Sequence, residues 1–151
     1  KEHDMMLRYV SFFHNIYLKD KKMVEVRSEQ MMKEGDFTKE EILEILHHAE
    51  KASTLVQKLT KAPREISTLI AQHHGVKKGV GFVDIYSSNA VTPLGMVFLL
   101  SDEFINLYLA YQGRLDKLDQ VCEEKEKRFL SVVNQKIFRE ILIEIKGSVA
   151  E

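Results

Sequence analysis

Residues 38–56 read TKEEILEILHHAEKASTLV, and this stretch decides the fold class. Thr38 followed three residues later by Glu41 forms a capping box, a pattern that begins helices. Apolar residues then recur every three or four positions, as on one face of a helix: Ile42, Ile45, Leu46, Ala49, Ala52 and Val56. His48 lies on the edge of that face, whereas His47 points away from it. The stretch therefore predicts a long amphipathic helix that carries one histidine toward the core.

The same three-and-four spacing recurs along the rest of the chain. It predicts further helices over residues 6–17, 63–73, 92–111, 115–127 and 129–145, with a turn and a short helix within 24–33. No strand pattern, repeat or low-complexity tract accompanies them. We therefore predict an all-α fold, in which residues 1–151 form a single domain built as a bundle of about six or seven helices.

Composition excludes several classes of function. The chain of 151 residues has 22 Lys and Arg against 23 Asp and Glu, and this balance argues against a protein that binds DNA or RNA. A single cysteine, Cys122, excludes a disulfide framework and suits the reducing cytosol. No stretch approaches the roughly 18 apolar residues of a membrane span, and no signal peptide pattern begins the chain. The expected location is cytoplasmic, without membrane insertion.

Three more polar residues lie on apolar helix faces. His73 and His74 continue a helical stripe by one turn, and Asp102 lies in the middle of the most apolar helix. A buried carboxylate costs several kcal/mol unless it is paired or bound to metal. Together with His48, these residues make a metal site chemically reasonable. The alternative is that each is a polar core residue with its own hydrogen bonds, and spacing alone leaves both open.

Residues 73–83, HHGVKKGVGFV, resemble the pattern H-H-E-x-x-D-G-x-G-Y-P of HD-GYP domains, a branch of the HD phosphohydrolase superfamily. Residues 35–41 resemble the G-K-L-T-x-E-E element of that family, and residues 48–50 resemble its H-P-E element. Residues 99–104 are similar to a later element in which an aspartate precedes x-F. The resemblance is strongest over residues 19–108, and residues 114–151 are expected to form C-terminal helices.

The defining H-D-x-G-K motif of the family falls on residues 19–23 when the alignment is extended back without gaps. This register keeps the aspartate of the motif as Asp20, and it has Lys19 in place of the histidine and Met23 in place of the lysine. Lys22, one position earlier, is a stand-in for that lysine. The literal pair His3-Asp4 would need an insertion of about sixteen residues, so we prefer the first register. The family also takes ligands from a helix some thirty residues before the motif, and we expect that helix to be absent or displaced here.

The resemblance implies an HD-domain bundle that holds two transition metal ions, iron or manganese. In the family these ions activate water for attack on cyclic di-GMP or a related cyclic dinucleotide. Carried over position by position, the expected metal ligands are Asp20, His48, His73, His74 and Asp102. The residues expected to act in catalysis are Asp20 and Lys22. Those expected to contact the dinucleotide are Lys19, Lys77, Gly79, Gly81 and Phe82.

Departures from the family pattern leave more than one class of function open. Lys19 adds a positive charge where the family has a ligand, and Phe82 lacks the hydroxyl of the family tyrosine. We predict a metal-dependent phosphodiesterase-like domain of bacterial signalling, either a phosphodiesterase or a weakened relative of one, that acts on or senses cyclic di-GMP. The alternative is a catalytically degenerate sensor or protein-interaction module with a signalling protein as partner. A helical adaptor without metal is the third hypothesis.

Overall fold

The computed structural model describes residues 2–59, 61–86 and 91–149. These residues form helices without any strand, so the all-α prediction is confirmed. There are eight helices in the described ranges rather than six or seven, because the sequence reading missed the single turn α2. The helices are α1 (Glu2–Phe13), α2 (Lys21–Val24), α3 (Glu29–Glu34), α4 (Lys39–Gln57), α5 (Arg64–Gln72), α6 (Pro93–Ala110), α7 (Leu115–Arg128) and α8 (Val132–Val149).

The helices group into two compact units. The first unit comprises Lys1–Asp84 and Ser88–Gly95, and the second comprises Ile85–Ser87 and Met96–Glu151. The first unit therefore contains α1 to α5, and the second contains α7, α8 and most of α6. The single domain over residues 1–151 stays a prediction of the sequence.

Side-chain caps begin the two short helices of the first unit. Asp20 Oδ1 accepts a hydrogen bond from the backbone N–H of Met23 at 2.9 Å and so begins α2 within a charged stretch that reads as a turn. Ser28 begins α3 in the same way. The apolar side chains of this segment pack with α4 in a cluster formed by Met23, Val26, Met32 and Ile45.

Helix α4 is the centre of the first unit. The capping box is confirmed: Thr38 Oγ1 accepts from the Glu41 N–H at 3.2 Å, and Glu41 Oε2 accepts from the Thr38 N–H at 2.7 Å. The buried face of α4 includes the small residues Ala49 and Ala52, and small side chains allow helices to approach closely. α4 packs against α5, and α5 packs in turn against α1.

Helix α1 ends at Phe13 rather than at residue 17, and residues 14–17 form a turn. The His14 ring explains the early end. Its Nδ1 lies 3.0 Å from the carbonyl oxygens of Val10 and Ser11, and a continuing helix would use the second of these for its own backbone bond.

A glycine-containing loop, residues 75–83, lies on α4. The Glu50 N–H donates to the Gly79 carbonyl at 3.1 Å, and the Gly81 N–H donates to the Leu46 carbonyl at 2.9 Å. Leu46 and Glu50 are four residues apart, the spacing of carbonyl and N–H in an α-helical hydrogen bond, so the loop joins the helix backbone at the turn that carries His48. Gly79 has φ +77°, and a Cβ there would lie 2.9 Å from the Glu50 nitrogen. Only glycine fits this approach.

Helix α6 begins as predicted, with Thr92 as its cap: Thr92 Oγ1 accepts from the Gly95 N–H at 3.1 Å. Contrary to the sequence expectation, α6 reaches the length and apolar composition of a membrane span, with 18 residues and a mean hydropathy of 1.2. Central helices of proteins outside membranes meet the same criterion. The expected lack of membrane insertion therefore stays a prediction.

The second unit has an aromatic core. The Phe129 ring lies 4.8 Å from the Tyr86 ring and 5.4 Å from the Phe138 ring, measured between centroids. Lys125 Nζ donates to Glu103 at 2.5 Å and to the Tyr86 hydroxyl at 3.1 Å. These contacts satisfy the half-buried polar groups beside the rings.

We expect Gly79→Ala to lower the free energy of unfolding by about 1–3 kcal/mol, because a Cβ strains the left-handed backbone and meets α4. Gly147→Ala is the control, since Gly147 is exposed in α8 and has nothing within 4 Å of an added Cβ. It should raise the free energy of unfolding by up to about 1 kcal/mol. Urea unfolding followed by circular dichroism measures both, and equal effects would contradict the docking of the loop.

Candidate metal centre

Three of the histidines singled out in the sequence come together in the first unit. His48 lies on α4, and His73 and His74 directly follow α5. Their side chains are only 1%, 1% and 7% exposed. One ring nitrogen from each lies within 4.8 Å of the others. The prediction that His48 points inward and His47 outward is confirmed, since His47 Nδ1 instead pairs with Glu50 at the surface, 3.0 Å away.

Backbone contacts assign the protons on two of these rings. His48 Nδ1 lies 2.6 Å from the Ile45 carbonyl, and His73 Nδ1 lies 2.7 Å from the Ile70 carbonyl. A carbonyl oxygen only accepts, so each Nδ1 carries the proton and donates it. In a neutral ring the other nitrogen, Nε2, then holds a bare lone pair. The Nε2 atoms of His48 and His73 lie 3.1 Å apart, with lone pair facing lone pair.

Protonation of one Nε2 atom would relieve this repulsion, but the pKa values of the rings are too low for protonation at neutral pH. Burial lowers the pKa of His48 to about 4. Burial, and then the neighbouring imidazole, lowers the pKa of His73 and of His74 well below 6.5. All three rings are therefore neutral in the absence of a metal. Neutral imidazoles are the form that binds metal ions, because the lone pair is available.

The nitrogen spacing fits a single metal ion. His74 Nε2 also lies 3.1 Å from His48 Nε2. Two imidazole nitrogens bound at about 2.0–2.1 Å in tetrahedral geometry stand about 3.3–3.4 Å apart. The two separations from His48 Nε2 are within a few tenths of an ångström of that value, and the whole group lies within 4.8 Å. The hydrogen bonds from Nδ1 to backbone carbonyls are the outer contacts that orient histidine ligands. The three residues thus fit a metal centre in both spacing and donor chemistry.

Two further aromatic rings border the three histidines. The Phe82 ring lies 4.5 Å from the His74 ring, and the Val83 N–H donates to the His74 carbonyl at 3.3 Å. The His14 ring lies 5.1 Å from the His73 ring. Sequence reasoning assigned no role to His14. A signal was present, because His14 follows the buried residue Val10 by four positions and so continues the inner face of α1.

The other ligands and catalytic residues expected in this unit lie elsewhere. Asp20 is the cap of α2 and does not belong to the three-residue group. Lys22 Nζ donates to the Asp36 carbonyl and lies 4.2 Å from the centre of the Phe37 ring. Lys19 Nζ pairs with Glu44 at 2.8 Å, and this hydrogen bond raises the pKa of Lys19. Local partners therefore engage all three side chains.

The remaining expected site residues lie either on the loop of residues 75–83 or in the second unit. Lys77 is exposed on the loop, while Gly79 and Gly81 bond to α4, so their contact with a ligand stays a prediction. Asp102 belongs to the second unit and is half-buried rather than buried. Its Oδ2 accepts from Asn106 Nδ2 at 3.3 Å. The unused pair His3-Asp4 is exposed on α1.

Comparison with protein families, curated proteins and solved structures finds no match to the chain. The geometry of the first unit therefore carries the functional argument.

With a chelator present, we expect stability to fall as pH decreases from 7.5 to 5.5. The unfolded histidines bind protons near pH 6.5, whereas folded His48 binds one only near its pKa of about 4. Between those values protons favour the unfolded state, by up to about 1.4 kcal/mol per pH unit for each buried neutral histidine. Urea unfolding at several pH values measures this slope. His48→Gln should reduce it and His47→Gln should not; a flat profile in the unaltered protein would contradict the burial of neutral rings.

Proposed function

We propose that the first unit binds a transition metal ion through His48, His73 and His74, as the centre of a divergent HD-GYP-type domain. The observation that carries the proposal is the 3.1 Å contact between the unprotonated Nε2 atoms of His48 and His73. A cation between these atoms removes the repulsion between their lone pairs. The three ligands are also three of the five positions that the resemblance assigns to metal binding.

The donor set favours some metals over others. Three neutral imidazoles suit zinc, iron, nickel or copper, whereas manganese is better served by carboxylates. Of the two metals that the resemblance implies, iron is therefore the better match. The three imidazoles would coordinate one ion. A second ion would need carboxylate ligands in addition to these imidazoles, and the two-metal centre stays a prediction.

As an enzyme, this domain would hydrolyse a phosphodiester of cyclic di-GMP or a related cyclic dinucleotide. A bound metal ion supplies Lewis acidity toward a phosphoryl oxygen and lowers the pKa of coordinated water. The chain's own contribution is to orient the His48 and His73 imidazoles through backbone hydrogen bonds and to shield His74 with the Phe82 ring. The exposed Lys77 on the loop provides a positive charge for a phosphate group.

The second candidate is a sensor or signalling-partner module that kept the fold and its metal without hydrolysis. The Lys19–Glu44 ion pair favours it, because in the preferred register an ammonium group stands where the family has a ligand. The use of Asp20 as a helix cap favours it as well. Both candidates share the metal centre and the expected cytoplasmic location, and they differ in turnover.

Metal binding to the folded state should raise its melting temperature by mass action. We expect ferrous iron or zinc, compared with a chelator, to raise the free energy of unfolding of the unaltered protein by about 4 kcal/mol at a thousandfold excess over Kd. The measured quantity is the difference in free energy of unfolding between the metal-loaded and the chelator-treated form of each protein. Destabilisation by a cavity affects both forms of a variant and therefore cancels in this difference. His73→Ala should lose most of this increment, and His47→Ala, at the surface of α4, should keep it. An increment that is equal in all three proteins would refute the metal centre.

Hydrolysis of cyclic di-GMP by the metal-loaded protein distinguishes the two candidates. Chromatography of the linear product should show slow turnover that disappears in His73→Ala. Phe82→Tyr should increase turnover, because it restores a hydroxyl next to His74. Tight binding of the dinucleotide without product, in both the unaltered protein and Phe82→Tyr, would instead establish the sensor.

A further inference from the structure

His14 belongs to the same surroundings as the three histidines of the proposed centre. Its ring is 5.1 Å from that of His73, measured between centroids, and the corresponding distances among the three rings are 5.0, 4.9 and 4.0 Å. The packing of α1 against α5 holds it there. Burial is the main cause of the low pKa of His48 and of His73, and a charge on His14 lowers both further.

The His14 ring is anchored in the same manner as two of the proposed ligands, His48 and His73. Its Nδ1 donates to backbone carbonyls three and four residues earlier, Ser11 and Val10, at 3.0 Å each. His48 and His73 each donate from Nδ1 to a carbonyl three residues earlier. This anchoring leaves Nε2 of His14 as the unprotonated nitrogen. That nitrogen accepts a hydrogen bond from Asn15 Nδ2 at 2.9 Å.

We propose that His14 is the fourth ligand of the metal centre, binding through Nε2 and giving up its bond to Asn15. The inference rests on the metal centre proposed above and extends it. His14 lies outside the group whose nitrogens are within 4.8 Å of one another, so its ring turns toward the metal when it binds. The complete ligand set is then four neutral imidazoles drawn from the end of α1, from α4 and from the end of α5.

A fourth imidazole changes what the centre can do. Four protein ligands close a tetrahedral site, whereas hydrolytic centres keep one position for water or substrate. With His14 bound, the centre has no open position. When His14 leaves, its Nε2 accepts the hydrogen bond from the Asn15 amide again, and one coordination position opens. His14 and Asn15 thus form the switch between a closed and an open centre.

Cobalt(II) provides the test, because its visible spectrum reports coordination number and ligand exchange. The unaltered protein should bind cobalt in a four-coordinate form whose spectrum does not respond to added imidazole. His14→Ala should bind cobalt at least about tenfold more weakly, and free imidazole should restore both the affinity and the spectrum. Asn15→Ala keeps the ligand and removes its competing partner, so it should bind cobalt more tightly than the unaltered protein. His47→Ala serves as the matched histidine control and should change none of these.

Two results would overturn the inference, and they are distinguishable. If His14→Ala binds cobalt with unchanged affinity and spectrum and ignores imidazole, His14 is not a ligand although the three-histidine centre stands. If the unaltered protein binds no cobalt, the metal centre itself fails. Circular dichroism of His14→Ala verifies folding, and the Asn15→Ala measurement tests the switch in a protein that retains all four histidines.

Discussion

The burial of imidazole rings against one another is the constraint on which the first unit depends. α4 and α5 pack together and place His48 opposite His73 and His74. These rings are shielded from bulk solvent, and the bare Nε2 atoms of His48 and His73 repel each other at 3.1 Å. A protein tolerates such a contact when the folded state binds a cation, because metal binding then adds to the free energy of folding. In the proposed centre, metal binding and the stability of the unit would therefore be coupled.

The loop of residues 75–83, which follows His73 and His74, also holds the histidine cluster in place. Its backbone bonds to Leu46 and Glu50 fix the loop to the turn of α4 that carries His48. The close approach explains Gly79 in structural terms, independent of any ligand. A motif that resembles a ligand-binding element in sequence is thus also a packing element. The two roles are compatible, since a loop held rigidly on α4 keeps the neighbouring Phe82 ring against His74.

The number of open coordination positions separates the candidate functions. Three imidazoles leave room for water or substrate, and a fourth closes the site. Lys19 and Asp20, which fall on the defining motif in the preferred register, are engaged by Glu44 and by the α2 backbone. Because these two side chains are engaged locally, the histidines are the residues of the unit that are placed to bind a metal. In the proposed centre, His14, to which the motif comparison assigned no role, would control access to the metal.

The sequence by itself determined the all-α class, the start of α4 at its capping box and the inward direction of His48, because helix periodicity and caps depend on neighbours within a few residues. It also marked His73 and His74 as buried polar residues. Only the tertiary structure decided which side chains share a space. His14 joins the others because α1 docks on α5, and Asp20 does not because its carboxylate is satisfied within its own turn. Docking between distant helices depends on the shape of entire faces, which local spacing does not encode.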